Sequence, residues 1–494
     1  MDRLISRPRH RQRHLRLRLR RMAVICIVVA LPMTTATARG ETLARRIDAH
    51  LAQPRFAAAS WGITVVSLDD GHIVYQHDAG RLLLPASTAK LYTAAFALDR
   101  LGPAYRTHTD VLASVPVERG RLRGPLILRG RGDPTLAGSA WADALATQLR
   151  DQGLRRIDGG IVGDDTAFPG PPVGSGWEAS DLQTAYGATA SGLSIDENTM
   201  TADLGPAGDR VSPGDAAVAL AAQAAPATDV YRAPGSATVF SLRRDGDTGV
   251  SHVRLSLPDP ALTAARRLQS ALERVGIRVD GLARSVHWPV PSPASAGVLG
   301  TVASPPLAEI LRGGLKRSQN LYLQSVFLLL GLESANAQAT RHDTGRTEDQ
   351  AAAGLSSWLA RHGIGPSAVM MEEGTGLSRH DLTTPASLLQ VLVLMDASEQ
   401  SAPWHDLLPV AGVDGTLARR MRGTAAEGNV QAKTGSMSLV NTEAGYVTTR
   451  AGQKLAFVVM LNNYRPPPRA VDVPATSADV DAVAVMLAEA TGRL

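Results

Sequence analysis

The sequence predicts an α+β fold in which a host domain of strands and helices is interrupted by a long, largely β insertion. Three observations carry this expectation. Strand-forming runs sit near residues 61–75 and again over 430–463, with helical patterns beside them. Between about 104 and 300 the texture changes to Gly, Pro, Asp and short β-branched runs, and lysine disappears. Helical signals return at Pro306-Leu-Ala-Glu-Ile-Leu and from Leu321 to Leu330. With 494 residues the chain can bury two or three sizeable cores. The divisions expected are a leader over 1–38, a first part of the host over 39–103, one or two inserted modules over 104–300, and a second part over 301–494.

The leader reads as an export signal. Nine arginines precede residue 22, an apolar run extends from Met22 to Met33, and Ala36-Thr37-Ala38 supplies a small-residue cleavage pattern. That run is far shorter than the ~20 residues a membrane-crossing helix needs. Removing the leader takes nine bases from 51 and one acid from 46, leaving 42 basic against 45 acidic residues. The basic pI therefore belongs to the leader, and a nucleic-acid partner loses its support. The single cysteine, Cys26, leaves with it, so no disulfide, thiol nucleophile or cysteine-based metal site is expected. The remainder is expected to be soluble outside the cytoplasm, in the periplasm or peripherally associated with the membrane, with no transmembrane segment.

Trp61 to Tyr75 reads as a β-hairpin turning at Asp69-Asp70-Gly71. Proline at 85, then Ser87 and an Ala/Leu-rich run mark a helix beginning near Ser87. Over 430–463 three strand-like runs, punctuated at Asn441-Thr442 and Ala451-Gly452-Gln453, predict a meander. The last helix, Ser477 to about Ala490, carries Val480, Val483 and Leu487 on one face and Asp479, Asp481 and Glu489 on an acidic outer one.

Lysine usage is the most informative feature. Four lysines (Lys90, Lys316, Lys433, Lys454) stand against 47 arginines. A chain that uses arginine for its surface charge keeps lysine where a side chain must be able to lose its proton. Lys90 follows Ser87 by three residues, so a helix stacks the amine over the hydroxyl. A serine becomes a nucleophile when an adjacent base takes its proton, and lysine can be that base only if its pKa falls. An N-capping serine followed by a solvated lysine would share the spacing. Lys433-Thr434-Gly435 is sharper: cation and hydroxyl suit a carboxylate, and glycine admits a substrate backbone against a strand edge. A Ser-x-Asn element has two candidates, Ser318-Gln319-Asn320 and Ser334-Ala335-Asn336. The first sits on a loop before a helix and is preferred.

This triplet in this order is that of serine β-lactamases and penicillin-binding proteins. The chain resembles the class C low-molecular-mass penicillin-binding proteins, the D-alanyl-D-alanine carboxypeptidase/endopeptidases. The resemblance extends to Gly374-Thr-Gly-Leu-Ser-Arg-His-Asp381, to Leu408-Pro-Val-Ala-Gly-Val-Asp-Gly-Thr-Leu417, and to Tyr186-Gly-Ala with Ser191-Gly-Leu-Ser194. Asp381 stands where that family usually has Asn, Gln319 where Asp is common, and Gln324 near a position that is often acidic. His380-Asp381 is expected to be a structural surface pair.

The resemblance implies a transpeptidase-like domain, an antiparallel sheet covered by helices, with the insertion between its first two motifs. It further implies Ser87 as nucleophile, Lys90 as general base, Ser318 as proton donor to the departing amine and Asn320 as orienting group. Lys433, Thr434, Gly435 and Ser436 would bind the terminal carboxylate and, through the Ser87 and Ser436 N–H groups, the oxyanion. Peptidoglycan stem peptides would be the substrates, β-lactams the covalent inhibitors, with no cofactor and no metal. Two other classes compete: a serine β-lactamase, which is shorter and lacks the insertion, and a non-catalytic wall-binding or sensor module. A Ser-His-Asp hydrolase is disfavoured because no Gly-x-Ser-x-Gly occurs. Zinc peptidase chemistry is disfavoured because no His-x-x-x-His follows the leader.

Overall fold

The computed structural model describes residues 40–205, 208–216, 218–233, 236–243, 249–337, 345–466 and 475–494; the predicted leader lies outside them. The expected hairpin is present as β1 (Ser60–Ser67) and β2 (Ile73–His77). The expected meander is β3 (Gln431–Met437), β4 (Val440–Thr448) and β5 (Lys454–Asn462). Together they form one antiparallel sheet in the order β2-β1-β5-β4-β3, so β3 is an edge strand. One turn differs from expectation. Asn441 and Thr442 lie inside β4, and the chain reverses at Ser438-Leu439, where Leu439 takes φ 68°.

Both faces of this sheet are covered, which explains why β5 reads as an unbroken apolar run. Its Leu455, Phe457, Val459 and Leu461 pack with Leu43, Ile47, Val480, Val483 and Leu487 of two terminal helices, α1 (Gly40–Leu51) and α7 (Thr476–Ala488). Ala456, Val458 and Met460 point the other way, into a core shared with α2 (Lys90–Leu101), α3 (Leu307–Lys316), α4 (Asn320–Ala337), α5 (Thr347–Arg361) and α6 (Pro385–Asp396). The acidic outer face expected of α7 holds only in part. Asp479 is buried and pairs with Arg55 at 2.8 Å.

Residues 108–303 build four further sheets on a separate apolar core running from Val111 to Ile277. Two helices, Ala140–Asp151 and Pro260–Arg274, complete it, so this stretch holds more helix than its composition suggests. It meets the host through a small apolar contact in which Phe168 and Ala190 pack on Leu321, Leu328 and Leu329 of α4. Among the described residues no helix is long and apolar enough to cross a membrane.

Candidate active site

Ser87 sits in a single 3-10 turn, Ala86–Ala89, that feeds directly into α2. A 3-10 turn has three residues per turn, so side chains at i and i+3 stack one above the other. Lys90 Nζ accordingly lies 2.8 Å from Ser87 Oγ. The turn is entered through Ala86 at φ 45°, a left-handed conformation that a non-glycine residue adopts only when its surroundings impose it.

Lys90 is wholly buried, and its amine reaches three acceptors: Ser87 Oγ, Asn320 Oδ1 at 2.6 Å and the Thr375 carbonyl at 2.8 Å. Burial pulls its pKa down to about 7, against the opposing pull of Glu373 and Asp381. A neutral amine has two N–H donors and one lone pair. With Asn320 Oδ1 and the Thr375 carbonyl taking the two donors, the lone pair is left aimed at the Ser87 hydroxyl. That is the arrangement a general base requires.

Asn320 is held from its other end, its Nδ2 donating to the Tyr186 carbonyl at 2.8 Å. Ser318, in the α3–α4 turn at φ 56°, accepts from Lys433 Nζ at 2.8 Å. Between them, Gln319 donates to Glu197 at 2.8 Å, a carboxylate that also pairs with Arg317. Residues 186 and 197 belong to the inserted region, so it supplies the outer wall of the Ser318–Asn320 turn. Gln319 fits here because an Asp would set a second carboxylate against Glu197. The alternative element lies away from this site, at the far end of α4, where Ser334 Oγ donates to the Leu330 carbonyl at 2.8 Å.

Lys433 is also wholly buried and donates to the Thr434 carbonyl at 2.6 Å. Burial, then the nearby Lys90 and Arg420 cations, hold its pKa well below the usual lysine range. Thr434 Oγ1 donates to Thr416 Oγ1 at 2.8 Å. Gly435 is where β3 crosses the Ser87 turn: a Cβ there would lie 2.9 Å from Ser87 N, 2.8 Å from the Pro85 carbonyl and 2.2 Å from Thr442 Oγ1. Ser436, next along the edge, is exposed. Pro409 and Ala411 bond to Ala432 and Val430 and occupy the start of the β3 edge. Beyond it no other strand pairs with that edge among the described residues, a setting that suits an extended peptide.

The eight residues singled out from the sequence thus lie together around the Ser87 turn and the β3 edge. Sequence reasoning missed the Thr375 and Tyr186 carbonyls, the Thr416 hydroxyl, and Glu373. Backbone acceptors leave no trace in a side-chain pattern; the only signal was that residues 186, 375 and 416 lie in stretches already noted for their resemblance, with Glu373 next to one of them. His380 and Asp381 are not a surface pair. His380 is exposed and bonds Glu372 at 2.9 Å, whereas Asp381 is fully buried. No cluster able to hold a metal ion occurs among the described residues.

The sequence profile of the D-Ala-D-Ala carboxypeptidase 3 (S13) family matches residues 43–489. The chain belongs to this family. It is a serine-type D-Ala-D-Ala carboxypeptidase. The peptidase is 34% identical over 484 residues to the D-alanyl-D-alanine carboxypeptidase of Actinomadura sp. (strain R39), which spans 92% of this chain and 86% of that protein. It is 27% identical over 426 residues to DacB of Haemophilus influenzae, across 82% of this chain and 85% of the relative. The crystal structure of penicillin binding protein 4 (dacB) from Haemophilus influenzae superposes with a TM-score of 0.77 at 24% identity, over 90% of this S13 enzyme and 99% of that chain. The shared fold is the transpeptidase-like one expected from the motifs.

Proposed function

We propose that this carboxypeptidase cleaves the terminal D-Ala-D-Ala bond of peptidoglycan stem peptides through an acyl-enzyme on Ser87. The observation that carries the assignment is the Lys90 amine, buried and 2.8 Å from the Ser87 hydroxyl, with its other two directions taken by fixed acceptors. Ser87 Oγ attacks the penultimate D-alanine carbonyl as Lys90 takes its proton. The N–H groups of Ser87 and Ser436 face the oxyanion; removing one such donor typically costs about 100- to 1000-fold in rate. Ser318, linked to Lys433, returns a proton to the departing amine, and water then hydrolyses the ester.

Lys433 and Thr434 grip the terminal carboxylate. An arriving anion restores the charged form that burial suppresses in Lys433, so binding and protonation of that lysine are coupled. The same acyl transfer serves D-alanyl cross-links, where only the departing amine differs, and we extend the proposal to DD-endopeptidase activity. β-Lactams would acylate Ser87 and remain there; the Haemophilus influenzae penicillin binding protein 4 has been solved in complex with a β-lactam. The arginine-rich leader supports export and action outside the cytoplasmic membrane.

The test is covalent labelling with a fluorescent penicillin, alongside digestion of purified muropeptides. Ser87→Ala is expected to abolish both labelling and D-alanine release. A Ser87→Ala protein that still labels overturns the nucleophile assignment.

A further inference from the structure

A pair of carboxyl groups beside Lys90 takes no part in the steps above. Glu373 and Asp381 lie on the loop between two short paired strands, Val369–Met370 and Leu382–Thr383, and both are fully buried. The loop winds around Glu373. Its Oε2 accepts the Thr375 N–H at 2.9 Å, and its Oε1 accepts those of Gly376, Leu377 and Ser378 at 2.5, 3.0 and 3.5 Å. With its N–H turned inward, Thr375 presents its carbonyl outward to Lys90, and the Gly374 carbonyl accepts from Thr93 at 2.8 Å. Gly376, at φ 77°, packs so closely on the Ser87 turn that a Cβ would lie 1.9 Å from the Ala86 carbonyl.

Asp381 stands against Glu373. One of its oxygens accepts the Glu372 N–H at 2.8 Å; the other, Oδ2, is buried with no donor in reach. A buried carboxyl oxygen that no donor reaches, set beside a second buried carboxyl group, is stable only if the two share a proton. We propose that Asp381 holds this proton and donates it to Glu373, so that the pair faces Lys90 with a single negative charge and locks the Thr375 carbonyl onto the amine. Asp381 and Glu373 are positioning residues for the general base.

Burial, and then the Glu373 charge, push the Asp381 carboxyl well above its usual range, consistent with a proton kept through neutrality. The charged groups around the pair come from every neighbouring element. Lys90 faces it from α2, with Lys433 of β3 beyond, and Glu372 and His380 bond each other on the loop itself. Glu348 of α5 lies behind, bonded to Gln324 of α4 at 2.7 Å, and Gln324 takes the Gly374 N–H at 2.8 Å. Losing the proton would place two negative charges in contact, loosen the loop and strengthen the hold of Lys90 on its own proton. Acylation would therefore fall on the alkaline side.

The proposal rests on Lys90 acting as the base, and its test separates the two. Acylation by a fluorescent penicillin is followed from pH 6 to 10. Asp381→Ala, which removes the donor, is expected to lose about 10- to 100-fold at pH 7, the size associated with a buried group left unpaired. Asp381→Asn restores an N–H donor that does not titrate. It should recover acylation at pH 7 and move the alkaline fall upward by about one pH unit or more. Independently of any turnover, 13C-carboxyl NMR of the aspartate-labelled enzyme should show one aspartate still protonated at pH 7. An alkaline limb unchanged in Asp381→Asn, an Asp381→Ala as active as the parent, or an NMR spectrum without such a carboxyl overturns the proposal. Where the variants do not fold, the spectrum of the unaltered enzyme decides it.

Discussion

The depressed lysine makes a quantitative claim about acid inactivation. An ordinary lysine, with a pKa near 10.4, would be neutral in only about one molecule in 2,500 at pH 7. With Lys90 at about 7, half the molecules carry the free base. The difference, about 3.4 pH units at 1.36 kcal/mol each, amounts to about 4–5 kcal/mol of work done by burial on this side chain. Acylation should therefore fall about tenfold for each unit below neutrality, to about 1% of its plateau at pH 5. Lys90→Arg tests the same logic in another way. Guanidinium stays charged at any accessible pH, so the variant should lose about 100- to 10,000-fold, the contribution typical of a general base. The assay is the second-order rate of labelling by a fluorescent penicillin at constant ionic strength over pH 5–8. A rate that does not change between pH 7 and pH 5, or an arginine variant within tenfold of the parent, would refute the reasoning.

Two further outcomes follow from the same geometry. Below about pH 10.4 the unfolded chain protonates Lys90, but the folded chain does so only below about 7, so stability on this account rises with pH between those values. Lys90→Met should remove that slope, as measured by denaturant titration over pH 7–10; at pH 7 the burial gain is offset by about 1–3 kcal/mol for each of the two acceptors left unpaired, Asn320 Oδ1 and the Thr375 carbonyl. Gly435→Ala should push β3 off the Ser87 turn, given that its Cβ would come within 2.9 Å of Ser87 N. Acylation is expected to fall about 100-fold as the oxyanion site opens, and near-normal labelling of a folded Gly435→Ala protein would show that the close crossing has no catalytic role.

Much of the site was legible because its chemistry is local. Ser87 and Lys90 are one helical turn apart, and Lys433, Thr434 and Gly435 are consecutive on one strand, so spacing alone brings each set together. Choosing Ser318-Gln319-Asn320 over Ser334-Ala335-Asn336 was also a local decision, between a turn and the far end of a helix. The misreadings have a common cause. Asp479 and Asp381 look like surface acids because charged side chains are usually solvated. In the folded chain Arg55 accompanies the first into the interior and Glu373 the second. The turn placed at Asn441-Thr442 failed because turn-forming residue types cannot outweigh a full ladder to β3 and β5.

By itself the sequence picked out the groups that the fold brings together, since rare lysines, spaced hydroxyls and apolar periodicity are properties of neighbouring residues. It also determined the fold class, through the contrast between apolar strands buried on both faces and an insertion of a different texture. Only the tertiary structure decided the surroundings that suit Lys90 to the proposed role of base. That needs complete burial, an amide from residue 320, a carbonyl from 375 and a buried carboxyl pair behind it, brought from segments more than 200 residues away. A proton's affinity for a nitrogen is set by everything packed around it, and that surrounding exists only once the chain has folded.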